Sequence, residues 1–122
     1  GEIYDVAVDI RRSSPMFGRW VSTPLSAKIG HLLWVPPGFA HGYIVTSDGA
    51  DVAYKVTAEY EPTLDRGIRW DDPDIGIEWP EIAPIEPAAR MGSTEPTGGI
   101  APIVSEKDRR LPLLSEAETL FD

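Results

Sequence analysis

Apolar side chains recur along this chain at every second position and almost nowhere at helical spacing, which confines the fold to β architecture. In Tyr4–Arg11, the positions Tyr4, Val6, Val8 and Ile10 fall on one face of a strand, and Asp5, Asp9 and Arg11 fall on the other. Ser13-Ser14-Pro15 then reads as a turn, and Gly18 to Val21 as a short strand. His31-Leu32-Leu33-Trp34-Val35 is a more continuous apolar strand that stops at Pro36-Pro37. Tyr43–Ser47 and Asp51–Tyr60 flank Asp48-Gly49-Ala50, which predicts a hairpin. Along its second arm Val52, Tyr54, Val56, Ala58 and Tyr60 share one face, and Asp51, Ala53, Lys55, Thr57 and Glu59 the other. Short strands punctuated by proline and glycine predict a sandwich or a closed barrel.

Past Tyr60 the chain turns often. Glu61-Pro62 and Asp72-Pro73 start turns, and Ile75–Pro80 reads as a last short strand. Residues 81–104 hold four prolines and three glycines without periodicity, predicting a long surface loop. Helix is expected only at the end, over Ser115–Phe121, with Ser115 as N-cap and Glu118 as its capping-box partner. The reading is therefore one domain over residues 1–122: barrel strands in 1–80, a Pro/Gly-rich loop in 81–104, and a C-terminal element in 105–122 with a short helical segment. At 122 residues the chain can bury a core of its own.

Charge narrows the partners. A net charge of −9 argues against nucleic acid or an anionic membrane, both of which need a basic surface. A few local Arg and Lys side chains can still hold a phosphorylated small molecule. The chain has no cysteine, which removes disulfides, thiolate nucleophiles and zinc–thiolate sites, and suits a cytoplasmic location. No apolar run approaches the roughly 18 residues of a membrane span.

Chemistry has few places to reside. The two histidines, His31 and His41, stand ten residues apart in neither metal-binding spacing, so a metal centre from this chain alone is not expected. Neither a phosphate-cradling glycine loop nor a Gly-x-Ser-x-Gly nucleophile elbow is present. What remains is acid–base work by His, Tyr, Asp and Lys. In Val35-Pro36-Pro37-Gly38-Phe39-Ala40-His41-Gly42-Tyr43 a rigid turn delivers an imidazole to the start of a strand, either as a pocket donor or simply to bond a backbone carbonyl. Tyr54 and Tyr60 share a strand face about 20 Å apart at the strand rise, as depths of one cavity or as ordinary core aromatics. Lys107 and Asp108 sit in the charged run Ser105–Arg110, which by pattern alone is solvated surface.

The ordered set of motifs resembles the dTDP-4-dehydrorhamnose 3,5-epimerase family. The likeness runs through Asp5-Val6-Ala7-Val8-Asp9-Ile10-Arg11, Ser14–Gly18 with Trp20, Leu25-Ser26 and Pro37–Tyr43. It continues through Tyr54-Lys55, Tyr60 with Pro62, Gly67–Pro73, Ile75–Pro80 and Ser105-Glu106-Lys107-Asp108. The resemblance implies an all-β cupin-type jelly roll and an isomerase without metal or organic cofactor, acting in dTDP-L-rhamnose biosynthesis. Such enzymes invert C3 and C5 of a dTDP-4-keto-6-deoxyhexose by removing and returning protons beside the C4 ketone. On that likeness Tyr54 resembles the proton donor and Tyr60 the aromatic that stacks on thymine. His41 and Lys107 resemble substrate-binding groups, and Asp108 the carboxylate that orients the basic histidine. Asp65 stands where the family usually has a binding Glu, one methylene longer.

One family element has no counterpart. The general-base histidine of the family lies in a Leu-Arg-Gly-x-His segment, and neither His31 nor His41 sits in such a context. The chain therefore resembles the C-terminal part of an epimerase, incomplete at its N-terminus and expected to be inactive or nearly so in isolation. Missing strands would leave sheet edges open to another chain, and the resemblance implies a homodimer. A 3- or 5-monoepimerase and a non-catalytic sugar-nucleotide-binding module are the alternative expectations.

Overall fold

The computed structural model describes residues 1–82, 102–118 and 121. Its frame is a three-stranded antiparallel sheet of β1 (Glu2–Asp9), β2 (Trp20–Ser26) and β3 (Phe39–Val45), in the order β2-β1-β3. Val6 faces Ser22 on one side and Gly42 on the other, and Ala7 faces Val21 and His41. The middle position suits β1, whose Ile3, Val6 and Val8 are β-branched residues that pack well on a pleated surface.

The even-numbered face builds the core. Val6, Val8 and Ile10 join Ile75 and Leu114 in one buried cluster, against which Tyr4, Trp20, Ala40, Ile68, Ile77 and Trp79 pack. Tyr4 meets Trp79 edge-on at 6.4 Å between ring centroids. The later chain is stapled to this face by Asp72, whose Oδ2 accepts the Leu114 N–H at 2.6 Å and whose Oδ1 accepts the Asp74 N–H at 2.8 Å. The odd-numbered face is buried as well: Asp5 is 3% exposed, Ala7 7% and Asp9 2%. Two carboxylates held away from water on one strand need partners, and both have them.

Several expected elements differ. The strand expected over Gly18–Val21 is instead Trp20–Ser26, because pairing with β1 carries it through Pro24 on the sheet edge. The hairpin across Asp48-Gly49-Ala50 does not form: Asp51–Tyr60, His31–Val35 and Ile75–Pro80 have no ladder partners among the described residues. Alternation predicts a pleat, whereas a strand also needs a neighbour to bond. The helix expected over Ser115–Phe121 is a turn at Leu114–Glu116, closed by the Glu116 N–H on the Leu113 carbonyl at 3.0 Å. Residues 119 and 120 lie outside the described residues, as does most of the 81–104 loop. Helix appears one segment earlier, as α1 (Glu106–Arg109), where Ser105 caps the first turn by accepting the Asp108 N–H at 3.0 Å. A short 3₁₀ turn, Pro62–Leu64, is capped in the same way by Glu61.

Candidate active site

The Pro36-Pro37-Gly38 turn feeds directly into β3 and sets His41 on the odd face of the sheet. There the His41 Nε2 lies 2.9 Å from both carboxylate oxygens of Asp5. A carboxylate only accepts, so Nε2 carries the proton, and Nδ1 is the nitrogen left for another partner. Asp5 is almost wholly buried while the His41 side chain is 27% exposed, so the pair presents its imidazole end outward.

Two phenols flank the imidazole. Tyr54 meets it edge-on, with ring centroids 6.1 Å apart at 80°, and Tyr43 stands at 6.3 Å. Partial desolvation against this face raises the Tyr54 phenol above its ordinary value of 10.0, and the adjoining Tyr43 phenol and the Asp5 charge push the same way. With over half its surface still exposed, Tyr54 is a reachable phenol that keeps its proton.

A second cluster gathers three more of the expected binding residues. The Tyr60 hydroxyl donates to Asp65 Oδ2 at 3.0 Å, and Lys107 Nζ donates to the same oxygen. These bonds, Lys107 first, hold the Asp65 carboxyl below its ordinary value, and Asp65 in turn raises Lys107. The Tyr60 ring is 72% exposed, which leaves its face open for stacking. Tyr60 and Asp65 bracket the Pro62–Leu64 turn, while Lys107 reaches in from α1. Asp108 follows on α1, its backbone N–H engaged by Ser105, and its side chain has no hydrogen-bond partner among the described residues.

The six residues singled out in the sequence thus resolve into His41 with Tyr54, Tyr60 with Asp65 and Lys107, and Asp108 beside the second group. Asp5 and Tyr43 belong with the first and were not anticipated. The one trace of Asp5 was an acidic residue among apolar neighbours, and Tyr43 left no trace apart from its place in the Pro37–Tyr43 run. A cavity of about 500 Å³ lies elsewhere, on the core side of the sheet between Arg12, Phe17, Trp20 and Leu114, and contains none of these residues. Among the described residues no three His, Asp or Glu side chains converge as metal ligands, and no helix is long and apolar enough to cross a membrane.

Comparison with known proteins places the chain in a family. A chain of Sinorhizobium fredii named dTDP-4-dehydrorhamnose 3,5-epimerase is 42% identical over 121 residues, covering 99% of this chain and 53% of the relative. Its namesake in Salmonella typhimurium is 43% identical over 117 residues, covering 96% and 55%. The chain spans about half the length of the curated relatives it matches. In structure it superposes with a TM-score of 0.79 on the dTDP-6-deoxy-D-glucose-3,5-epimerase of Legionella pneumophila, solved with dTDP-4-keto-L-rhamnose. That pair is 39% identical, covering 97% of this chain and 54% of the other. A 3'-monoepimerase of Streptomyces bikiniensis in complex with dTDP gives a TM-score of 0.76 at 28% identity, covering 94% and 49%. The all-β, cupin-type jelly-roll expectation is borne out by this likeness. The family model described as dTDP-4-dehydrorhamnose 3,5-epimerase matches residues 1–116, and the chain belongs to that family.

Proposed function

We propose that this chain serves in the epimerisation of a dTDP-4-keto-6-deoxyhexose at C3 and C5, the isomerase step toward dTDP-L-rhamnose. The carrying observation is the Asp5–His41 pair with the proton-holding phenol of Tyr54 edge-on to it. A C4 ketone acidifies both flanking C–H bonds. Once a base has taken one proton, an enolate needs a donor near its oxygen and an acid on the far face. His41 is proposed as a substrate-binding group, locked by Asp5, and Tyr54 as the acid that returns the proton. Tyr60 is proposed to stack on the thymine, with Asp65 and Lys107 binding around it. Asp108 is proposed to orient a basic histidine of the Leu-Arg-Gly-x-His type. No described residue is proposed as the base, since neither His31 nor His41 lies in a Leu-Arg-Gly-x-His segment. The relatives quoted at above 40% identity are named 3,5-epimerases, which favours two-centre inversion over a single-centre or non-catalytic reading.

The remaining assignments follow as proposals. Leu32, Trp34 and Val56 are 96%, 72% and 74% exposed, which supports a homodimer that covers them. The acidic, cysteine-free composition supports a cytoplasmic setting with a sugar nucleotide, not nucleic acid or membrane, as partner. The test has two arms. Calorimetry should show the chain binding dTDP. Proton NMR in D₂O should show little or no deuterium entering C3 and C5 of dTDP-4-keto-6-deoxyglucose with the chain alone, and entry when a Leu-Arg-Gly-x-His segment is supplied. Absence of dTDP binding would overturn the reading, and fast exchange by the chain alone would overturn the missing base.

A further inference from the structure

The corner that launches β3 is held by one cation. Arg11, two residues past the end of β1, donates from Nε to Asp9 Oδ1 at 2.9 Å and from Nη2 to Asp9 Oδ2 at 2.6 Å. Ser14 donates to the same Oδ2 at 2.6 Å, so the carboxylate is fixed from two directions and the guanidinium plane with it. These bonds, that of Arg11 foremost, hold the Asp9 carboxyl well below the usual carboxylate range.

From this anchor the Arg11 stem runs against the turn. A Cβ on Gly38 would lie 2.6 Å from Arg11 Cγ and 2.8 Å from Cδ, and Gly38 has φ +89°, so the position needs glycine for backbone and for space. The Arg11 Cζ stands 5.1 Å from the centroid of the Phe39 ring, within cation–π range. The Ile10 N–H closes the same corner on the Gly38 carbonyl at 3.0 Å. Asp9 lies opposite Phe39, and the next residue of β3 on that face is His41.

From this continuity we infer that Arg11 is a positioning residue for His41. Clamped to Asp9, it fixes Gly38 and Phe39 so that β3 enters the sheet with the His41 imidazole on Asp5. The inference deepens the proposed function, because it concerns the substrate contact of His41, but its readout needs no substrate. A merely global structural role would lower stability and leave that imidazole contact unchanged in the folded molecules.

The experiment is imidazole NMR on the ¹⁵N-labelled full chain. The chain has two histidines, and exposed His31 is the internal reference. The His41 Nε2–H should be visible and slow to exchange through its bond to Asp5, and Asp5→Asn assigns it. Arg11→Met keeps the stem and removes the cation. It should speed His41 Nε2–H exchange roughly tenfold, the scale of one net hydrogen bond, with His31 unmoved. Arg11→Lys should restore part of the protection. An Arg11→Met chain with a native backbone spectrum and an unchanged His41 N–H would overturn the inference. Should Arg11→Met fail to fold, Gly38→Ala decides. With Arg11 in place, the added Cβ should displace the Arg11 stem and speed His41 Nε2–H exchange, and an unmoved His41 N–H in a folded Gly38→Ala chain would overturn the coupling. A chain that shows these effects yet fails to bind dTDP would sink the proposed function and leave this inference standing.

Discussion

The two faces of β1 are both buried, yet they are built from opposite materials. The even face, with Val6, Val8 and Ile10, joins Ile75 and Leu114 in a dry cluster whose contribution is apolar area removed from water. The odd face carries Asp5 and Asp9, and these buried carboxylates are satisfied by the His41 imidazole within β3 and by the Arg11 cation just past β1. Burial of the first kind is non-directional and tolerates repacking. Burial of the second kind is directional and fixes single atoms in place, which a site requires and a core does not. One strand thus serves as scaffold on one side and as template on the other.

The division is broken most forcefully from the core side. Leu114→Ala removes a 7%-exposed side chain from the cluster and should cost about 3 kcal/mol of stability. Denaturant unfolding should show it, while the folded fraction keeps the His41 contact with Asp5 and its affinity for dTDP. Weakened dTDP binding at unchanged stability would show that the faces are not separable. Tyr60→Ala probes the opposite case. Losing a stacking aromatic should weaken dTDP binding roughly 5- to 150-fold, from the 1–3 kcal/mol that base stacking supplies. The ring is 72% exposed, so the unfolding midpoint should barely move. An unfolding loss that accompanied unchanged affinity would make Tyr60 a packing residue.

How far the sequence disclosed this depends on which physical cause set each feature. The apolar stripe Tyr4-Val6-Val8-Ile10 was legible because burial leaves a period-two trace. The burial of the other face was not, since alternation with acidic residues looks the same whether those residues meet water or buried partners. The role of Asp5 therefore went unnoticed until β3 placed His41 diagonally beside it, on the same face. Strand pairing was illegible for a related reason. Val52–Tyr60 alternates well, yet alternation carries no information about which neighbour supplies the ladder. Ser105 and Ser115 both precede acidic turns, and only the tertiary setting decided which one capped a helix. The grouping of Tyr60, Asp65 and Lys107 was reached through family resemblance, because 42 residues separate Asp65 from Lys107 and no local pattern joins them.

A smaller effect tests whether that group acts as one unit. The folded-state value of Asp65 is depressed from its ordinary 3.8, first by Lys107 and then by Tyr60. A depressed carboxylate adds stability above its unfolded value and loses it as pH falls through the folded one. The cluster should accordingly hold at neutral pH and come apart in acid below about pH 4. Its weight in global stability is slight, since the Lys107 side chain is 63% exposed and solvent screens the pair. Carboxyl ¹³C NMR should follow Asp65 directly. Lys107→Ala should bring its titration up toward 3.8, whereas an unmoved titration would dissolve the cluster as a functional unit.

The finest test bears on the phenol beside the Asp5–His41 pair. The ordinary tyrosine value is 10.0, and that of Tyr54 is raised first by desolvation, then by Tyr43, then by the charge of Asp5. A raised value favours the protonated form, so its contribution to stability is present below pH 10.0 and is lost as pH climbs through the folded value. Ring-carbon NMR should find Tyr54 ionising above the ordinary 10.0. Tyr43→Phe should draw its titration downward, and Asp5→Asn should do so by less, matching the order of the causes. Titration of Tyr54 at the ordinary 10.0 would mean that the odd face does not reach as far as this phenol. The acid would then have to be sought among groups that the sheet positions more firmly, with Tyr43, inside β3, as the next candidate.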